Sequence, residues 1–250
     1  MKRIRLKVAY DGTNYCGWQI QKNGPTIEGE LQKALKSLLG QDVRLTGASR
    51  TDAGVHSQGN IAVFDTEAKM PADKYAVALN QRLPEDIAVT DSCCVPGDWH
   101  PRHCESVKTY EYRILNRRYP DPNRRLNTYF YYHPLDLEAM RQAAAALEGT
   151  HDFRSFCSVH AQVETTVRTL YSCRVDRRED VVTIRVSGSG FLYNMVRIIA
   201  GTLIWVGSGQ MAADAVPGIL AACDREKAGP TAPPQGLTMI GIDYPQEAEE

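Results

Sequence analysis

Hydrophobic and polar positions follow regular spacings along the first 105 residues. Residues 3–10 alternate strictly, with basic side chains on one face and apolar side chains on the other, which predicts a half-buried strand. Residues 27–39 place their apolar side chains on one helical stripe, and Gly40 follows as a helix stop. Further patterns predict strands at 43–46, 60–65 and 87–95 and a second helix at 72–82.

The second half has a similar mixture of patterns. Strands are predicted at 107–115, at the aromatic-rich 127–133, and at 167–176, 181–187 and 238–243. Helices are predicted at 136–147, 190–206 and 211–224. The acidic end, with Glu247, Glu249 and Glu250, is expected to fray.

The order of elements predicts the fold class. In the first half it is strand, helix, strand, strand, helix, strand, which resembles a split βαβ, ferredoxin-like unit. We therefore predict an α+β fold of two ferredoxin-like-derived halves, an N-terminal domain over 1–105 and a C-terminal domain over 106–250. Their antiparallel or mixed sheets are expected to form a central sheet flanked by helices, with an active-site cleft between the halves.

Composition indicates a globular protein whose charge is unevenly distributed. The 250 residues are 43% hydrophobic and 24% charged, which excludes a disordered or fibrous chain. The formal net charge is -1, yet residues 1–125 hold 19 basic and 15 acidic side chains, whereas residues 126–250 hold 10 and 15. Seven basic residues against three acidic ones fall within 102–125. Such a stretch fits a polyanionic partner or, equally, a solvated surface strand.

Neither secretion nor a membrane span is predicted. Residues 1–10 have no apolar core of the length that a signal peptide needs. The longest stretch without a charge, 198–213, has 16 residues, and a span needs about 20 apolar ones. The seven cysteines have no regular spacing, so we expect reduced thiols in a cytoplasmic protein.

The most unusual segment is 47–56, which reads GASRTDAGVH. It holds Arg50, Asp52 and His56 within seven positions, between glycines that permit sharp turns. A functional carboxylate is one interpretation. The other is a surface turn in which Asp52 bonds to its own backbone.

A second candidate lies on the strand predicted at 107–115. Lys108, Tyr110 and Tyr112 share one face of that strand, so two aromatic rings lie beside a cation. Stacking on nucleobases requires this combination. Two tyrosines on one strand face also occur in ordinary core packing, and the spacing alone does not separate the two interpretations.

A third candidate, 187–197, contains two glycines between a predicted strand and a predicted helix. A dinucleotide fingerprint is excluded because Tyr193 stands where the third glycine would be. Arg197 is a charge within an otherwise apolar helical stretch, and a buried guanidinium needs an anionic partner. The ion pair that Arg197 forms could equally be an ordinary structural salt bridge with no role in function.

No metal site is predicted. Five thiol and imidazole side chains fall within twelve positions, namely Cys93, Cys94, His100, His103 and Cys104. Adjacent cysteines on a strand point to opposite faces, and no Cys-x2-Cys pair is present, so this cluster does not have the spacing of a zinc site.

Asp11 suggests a different class of enzyme. Asp11-Gly12-Thr13 follows a predicted strand, as does the aspartyl-phosphate nucleophile of haloacid-dehalogenase-like phosphatases. That motif also needs a second aspartate at the position that Ala9 occupies here. A magnesium-dependent phosphatase is therefore kept only as an alternative.

Taken together, these motifs resemble the tRNA pseudouridine synthase A family. The similarity extends over nearly the whole chain, through the motifs at 10–13, 17–21, 49–56, 99–102, 108–112, 149–153, 190–197 and 232–237. The Arg-Thr-Asp-x-Gly-Val-His run within 49–56 is the most specific of them. Pro101 and Glu111 depart from the family, whose members often carry Ala and Arg at these positions.

The resemblance implies a role for each of four residues. Asp52 would be the essential catalytic carboxylate, and Arg197 would be the ion-pair partner that keeps it charged and oriented. Tyr110 would pack on the target base and is the candidate to accept the proton from C5. Arg50 would either occupy or prop open the space that an everted uridine leaves.

The resemblance also implies the substrate and the assembly. The substrate would be the anticodon arm of tRNA, with uridines at positions 38, 39 and 40, and a homodimer would bind one RNA across both subunits. The reaction breaks the N1–C1′ bond and joins C5 to C1′ without a redox partner or group donor, so neither a cofactor nor a metal is expected. It needs an anion at the sugar–base junction and a base that has left the stack.

Two matters remain open from the sequence. Asp52 could attack C1′, add to C6 or deprotonate C2′. A catalytically silent RNA-binding module could also use the same basic and aromatic surface. The presence of all three of Asp52, Tyr110 and Arg197 argues against such a module.

Overall fold

The computed structural model describes residues 1–158 and 164–245, and these form five α-helices and ten β-strands. The helices are α1 (Ile27–Leu39), α2 (Lys74–Asn80), α3 (Leu137–Ala145), α4 (Met195–Gly207) and α5 (Val216–Ala222). The strands are β1 (Lys2–Tyr10), β2 (Thr46–Gly47), β3 (His56–Thr66), β4 (Ile87–Val95), β5 (Val107–Leu115), β6 (Tyr129–Phe130), β7 (Gly149–Asp152), β8 (Val167–Arg178), β9 (Val181–Gly188) and β10 (Leu237–Asp243). Glu247, Glu249 and Glu250, predicted to fray, lie outside the described residues.

The chain divides into two compact units between Ser106 and Val107. The first unit comprises Met1–Ser106 and the chain from Met239 onward, and the second comprises Val107–Thr238. The division expected from sequence, 1–105 and 106–250, assigned β10 wholly to the second half. A strand's sequence shows which of its faces is apolar but not which sheet the strand joins, and β10 therefore could not be assigned from its pattern.

The sheet of the first unit is built around β1. The strand order is β4, β1, β3, β10, with the short β2 also paired to β3. β1 runs antiparallel to both of its neighbours, and Leu6 lies opposite Ala62 on β3 and Ser92 on β4. The predicted alternation in 3–10 is confirmed, because Ile4, Leu6 and Val8 are fully buried.

One hydrophobic core joins this sheet to α1 and α2. It contains the apolar face of β1, Leu31 and Leu35 of α1, and Tyr75 and Leu79 of α2. Helix α1 begins at the predicted position because the Thr26 hydroxyl accepts a hydrogen bond from the Gly29 N–H at 3.2 Å. It ends where Gly40 adopts a left-handed φ of 73°, as the sequence predicted.

The strands of the second unit pair antiparallel in the order β5, β9, β8, β7, and the short β6 pairs parallel to β5. Helix α4 is almost wholly buried, since eleven of its thirteen residues are buried. Helix α3 packs against α4 and β8, so α4 forms the centre of this unit. The mixture of helices with mainly antiparallel strands confirms the α+β class, whereas derivation from ferredoxin-like halves remains a prediction.

Several element boundaries differ from those predicted. The strand expected at 127–133 contains only β6, because the Asn116 amide donates to the carbonyls of Tyr131 and His133 and so replaces strand pairing there. The helix expected from residue 190 begins at Met195, since Asn194 has a left-handed φ of 61° and the preceding residues form a turn.

Other differences concern length. The strand expected at 43–46 is reduced to β2, the helix expected at 211–224 is reduced to α5, and β7 was not predicted. Within the described ranges, no helix has both the length and the apolar character needed to cross a membrane.

Candidate active site

Asp52 lies on the loop that connects β2 to β3, and the segment 12–18 holds the backbone of this loop. The Trp18 N–H donates to the Thr51 carbonyl at 3.0 Å, and the Gly54 N–H donates to the Tyr15 carbonyl at 3.3 Å. Within the loop, the Val55 N–H donates to the Asp52 carbonyl at 3.1 Å, which closes a turn around Asp52. The side chain of Asp52 is half-buried, so the turn presents a carboxylate at the boundary between protein and solvent.

Two glycines allow the segment 12–18 to approach the loop at backbone distance. A Cβ atom on Gly12 would lie 2.0 Å from the Val55 carbonyl oxygen, and one on Gly17 would lie 2.5 Å from the Thr51 carbonyl oxygen. Gly17 also has a φ of 86°, which residues with a side chain rarely adopt. The motifs at 10–13 and 17–21 therefore contain glycines because they pack directly on the aspartate loop.

The end of β1 supports the same loop through a buried hydrogen bond. The Tyr10 hydroxyl lies 2.8 Å from the Thr51 hydroxyl, and both side chains are buried. Burial raises the pKa of Tyr10 to about 12, so the phenol is neutral at physiological pH. On the other side of the loop, the Asn60 amide donates to the Ser49 carbonyl at 3.0 Å.

A turn at Asp11–Thr13 borders the loop and contacts His56, the first residue of β3. The Gly12 N–H donates to His56 Nδ1 at 3.1 Å, and Asp11 Oδ1 lies 3.1 Å from the same nitrogen. Asp11 also accepts from the Thr13 N–H at 3.0 Å and from the Thr13 hydroxyl at 2.5 Å. Burial raises the pKa of Asp11, but the Thr13 hydrogen bonds and His56 outweigh burial, and the pKa lies below its usual value. Asp11 thus stabilises a turn.

The structure also brings Arg102 to the aspartate loop, where sequence reasoning had not singled it out beyond the motif at 99–102. Its Nε–H donates to the Gly47 carbonyl at 2.7 Å. Burial and then the charge of Arg50 lower the pKa of Arg102, so the two guanidinium groups influence each other. Arg50 itself is exposed on the loop.

Tyr110 lies on β5 in the second unit, opposite Val186 of β9. It is buried, and its ring meets the ring of Phe191 edge to face with centroids 5.1 Å apart. Tyr112 is fully buried and donates its hydroxyl to the Pro233 carbonyl at 2.8 Å. Of the two tyrosines on the predicted stacking face, Tyr112 is therefore a core residue.

Arg197 is the third residue of α4 and is half-buried. Its Nε–H donates to the Ala232 carbonyl at 2.8 Å, and Nη1 donates to the Asn194 side-chain oxygen at 2.8 Å. The Ala232 N–H in turn donates to the Arg197 carbonyl at 3.1 Å. The two side-chain bonds, to Ala232 and to Asn194, fix the plane of the guanidinium group from two directions.

Close backbone approach holds the segment before β10 against α4. A Cβ atom on Gly201 would lie 1.8 Å from the Pro230 carbonyl oxygen, so only glycine fits there. The Gly229 N–H donates to the Thr202 hydroxyl at 2.9 Å. The position of Ala232, and through it that of Arg197, therefore depends on this contact.

The basic stretch at 102–125 is only partly available to a polyanion. Asp180 accepts from Arg124 at 2.7 Å and from Arg117 at 3.1 Å. The Arg118 guanidinium lies 5.1 Å from the centre of the Tyr119 ring. For Arg117 and Arg124, the structure favours the solvated, ion-paired interpretation.

The four predicted site residues fall into two pairs. Asp52 and Arg50 share the loop of the first unit, whereas Tyr110 and Arg197 belong to the second unit. Within the part of the chain that is described, no three His, Cys, Asp or Glu side chains are grouped as metal ligands. The rings of His100 and His103 stack on each other with centroids 3.9 Å apart.

Comparison with known proteins identifies relatives along almost the whole chain. A family model described as tRNA pseudouridine synthase matches residues 7–103 and 143–245. The tRNA pseudouridine synthase A of Ruminiclostridium cellulolyticum is 48% identical over 245 residues, which cover 98% of this chain and 100% of that protein. The protein of the same name from Halalkalibacterium halodurans is 50% identical over 238 residues, which cover 95% of this chain and 90% of its own length.

Similarity to solved structures is low. A crystal structure of a Cbf5-Nop10-Gar1 complex aligns with 95% of this chain and 56% of its own at 12% identity, and its TM-score of 0.31 supports no statement about this fold. The sequence relatives belong to a different class from the phosphatases considered for Asp11. The family expected from the motifs is confirmed: the chain belongs to the tRNA pseudouridine synthase family.

Proposed function

We propose that this chain converts uridine to pseudouridine at positions 38, 39 and 40 in the anticodon stem-loop of tRNA, without a cofactor and with Asp52 as the essential carboxylate. The observation that carries the proposal is the way in which the chain holds the Asp52 turn. Tyr10 bonds to the Thr51 hydroxyl, Trp18 bonds to the Thr51 carbonyl, and Gly12 packs on the backbone of the loop. All three lie within the residues that match the family model.

The reaction explains why a single fixed carboxylate is the central requirement. The N1–C1′ bond of the nucleotide breaks, the base turns, and C5 forms a new bond to C1′. The proton on C5 leaves and N1 gains a proton, so no electrons or groups pass to an outside acceptor. An anion held at the sugar–base junction can act as a nucleophile or stabilise positive charge that develops there.

Rigid support of the Asp52 turn suits such a role. A displacement of about 1 Å at a reacting group can lower a rate about a hundredfold. The turn is held by a buried hydroxyl pair at 2.8 Å and by two backbone hydrogen bonds to the segment 12–18. These contacts supply the preorganisation that a catalytic carboxylate needs.

The second unit would supply the groups that act on the base. We assign Tyr110 to packing on the target uracil and to accepting its C5 proton, and Arg197 to the ion pair that orients Asp52. The two bonds from Arg197, to Ala232 and to Asn194, fix its guanidinium plane. Arg50 would occupy the space that the everted uridine leaves. In this division the first domain carries the catalytic carboxylate, and the second carries the base-stacking tyrosine and the arginine partner.

The proposal extends to assembly and location. The enzyme would work in the cytoplasm as a homodimer that binds the anticodon arm of one tRNA across both subunits. Arginine and tyrosine side chains are suited to this substrate, since they contact phosphates and stack on unpaired bases.

The experiment is a site-mapped activity assay. Purified protein is incubated with unmodified tRNA transcripts that carry a single uridine at position 38, 39 or 40, in the presence of a chelator. Pseudouridine is located by carbodiimide-dependent stops of reverse transcription. We expect stops at each of the three positions with the wild-type chain, and none with Asp52→Ala or Asp52→Asn.

Asp73→Asn is the matched control. Asp73 is an exposed aspartate of the same unit that pairs with Lys74 at 2.8 Å, and its loss should leave the product unchanged. Normal turnover by Asp52→Asn would refute the role of this carboxylate. If the wild-type chain binds tRNA but produces no stops, the protein is a binding module or acts on another RNA.

A further inference from the structure

Basic side chains gather where the aspartate loop begins. Arg102 donates from Nε to the Gly47 carbonyl at 2.7 Å, and its own N–H donates to His100 Nδ1 at 3.2 Å. His100 stacks on His103, and burial together with the neighbouring His103, Arg102 and Arg3 lowers the pKa of His100. All of these groups belong to the first unit, close in sequence or in contact with residues 47–50.

The members of this group differ in how their charge is balanced. Arg3 binds Asp65 through two parallel hydrogen bonds of 2.8 Å, so its charge is neutralised. Arg50 and Arg102, by contrast, form no salt bridge with a carboxylate of residues 1–158 or 164–245. The charge of Glu28 raises the pKa of Arg102, but the Glu28 side chain accepts a hydrogen bond from the Ile20 N–H at 3.1 Å.

The hydrogen bond to Gly47 also leaves Arg102 in a defined orientation. Because Nε is occupied, the edge formed by Nη1 and Nη2 points away from the Gly47 carbonyl and presents two parallel donors. Such an edge matches two oxygens of a phosphate group. Two guanidinium groups that repel each other in the free protein are stabilised when an anion lies between them.

A groove adjoins this group of side chains at His100. It has a volume of about 410 Å³ and is lined by residues that include Arg44, Thr46 and His100. Its two carboxylates are already paired, Asp65 with Arg3 and Asp42 with Lys36. With these two carboxylates paired, Arg44 is the cation of the groove that can meet a phosphate following the one at Arg102.

We propose that Arg102 binds one phosphate of the RNA backbone beside the target nucleotide, that the charge of the nearby Arg50 strengthens this contact, and that the groove lined by Arg44 and His100 follows the next phosphates. Because Arg102 also donates a hydrogen bond to the Gly47 carbonyl, it connects this phosphate to the start of the loop that carries Asp52. The inference rests on the proposed function, because it assigns the RNA backbone contact to the site described above.

The test measures tRNA binding and its dependence on salt. Dissociation constants for unmodified tRNA are measured between about 50 and 200 mM salt for the wild-type chain, Arg102→Ala, Arg102→Lys and Arg50→Ala. Loss of one phosphate contact should reduce the slope of log affinity against log salt by about 0.7 to 0.9. We expect this reduction and about tenfold weaker binding for Arg102→Ala, with the slope largely restored by Arg102→Lys.

The matched control is Arg82→Ala. Arg82 is an exposed arginine of the same unit, just after α2, where it donates to the Ala78 carbonyl at 2.7 Å. Its removal should change neither the affinity nor the slope, and thermal unfolding curves verify that each variant is folded. A change equal to that of Arg102→Ala would show only a general effect of net charge and would overturn the proposal.

Other outcomes separate this inference from the proposed function. If Arg102→Ala is folded and loses activity while binding tRNA with wild-type affinity and slope, Arg102 only supports the loop through Gly47, and the phosphate site is refuted. If the wild-type chain forms no pseudouridine yet Arg102→Ala shows the reduced slope, the phosphate site stands and the proposed reaction fails.

Discussion

Replacing Gly12 by alanine should displace the Asp52 turn without touching any candidate catalytic side chain. A Cβ atom on Gly12 would lie 2.0 Å from the Val55 carbonyl oxygen and 2.6 Å from its carbon. Both groups are backbone, so no flexible side chain can move aside. Gly12 does not have a positive φ, and the whole effect therefore arises from steric contact and not from backbone strain.

The size of the displacement follows from these distances. Contacts of a real Cβ essentially never fall below 3.0 Å, so the two backbones must separate by about 1 Å or more. Val55 is hydrogen-bonded to the Asp52 carbonyl at 3.1 Å, and the displacement is passed directly to the turn. A 1 Å shift of a reacting group costs about a hundredfold in rate, and overpacking costs about 1–3 kcal/mol of stability.

Single-turnover formation of pseudouridine, with enzyme in excess over tRNA, measures the chemical step apart from product release. We expect Gly12→Ala to lower this rate about a hundredfold while tRNA affinity changes little, because no basic residue is altered. Gly97→Ala is the control, since a Cβ atom there meets no other atom within 4 Å. A folded Gly12→Ala variant with the wild-type rate would refute the link between loop position and catalysis.

Three further predictions concern the two units. Hydrogen bonding from Arg3 lowers the pKa of Asp65, so the ionised pair stabilises the fold above about pH 4. This contribution is lost as the pH falls through the lowered pKa. Asp65→Asn should therefore weaken the acid dependence of the thermal midpoint. Tyr112→Phe should destabilise the protein by about 1 kcal/mol in urea unfolding, because the Pro233 carbonyl loses its donor, while activity persists. Arg197→Lys should lower the single-turnover rate at least tenfold, since an ammonium lacks the planar fork.

Each of these has a result that would count against it. An unchanged midpoint profile in acid for Asp65→Asn would mean that its ion pair persists in the unfolded chain. Loss of activity without loss of stability in Tyr112→Phe would make that phenol part of the chemistry. A wild-type rate for Arg197→Lys would reduce the proposed role of Arg197 to that of charge alone.

The sequence could predict the elements whose apolar pattern matches their final environment. The alternation of 3–10 and the stripe of 27–39 are both explained by one face that packs into the core of the first unit. The motif around Asp52 could also be found, because few local structures need two glycines, an arginine and an aspartate so close together. The family followed from that motif combined with the others.

What the sequence could not predict depends on contacts between distant residues. Nothing local to Arg102 indicates that its side chain reaches the Gly47 carbonyl, 55 positions away. The short β6 results from the Asn116 side chain, which takes the place of a strand partner. Likewise, the pairing of Arg117 and Arg124 with Asp180 depends on the turn after β8, so their availability to RNA could not be judged from charge counts.

The two-way bond between Arg197 and Ala232 has a consequence for the order in which the protein is made. The two residues are 35 positions apart in the sequence. In a nascent chain that ends before Gly229, the Arg197 side chain has its bond to Asn194 but lacks the Ala232 carbonyl. The arginine half of the candidate site is therefore completed only after residues 229–232 have been translated and have docked on α4.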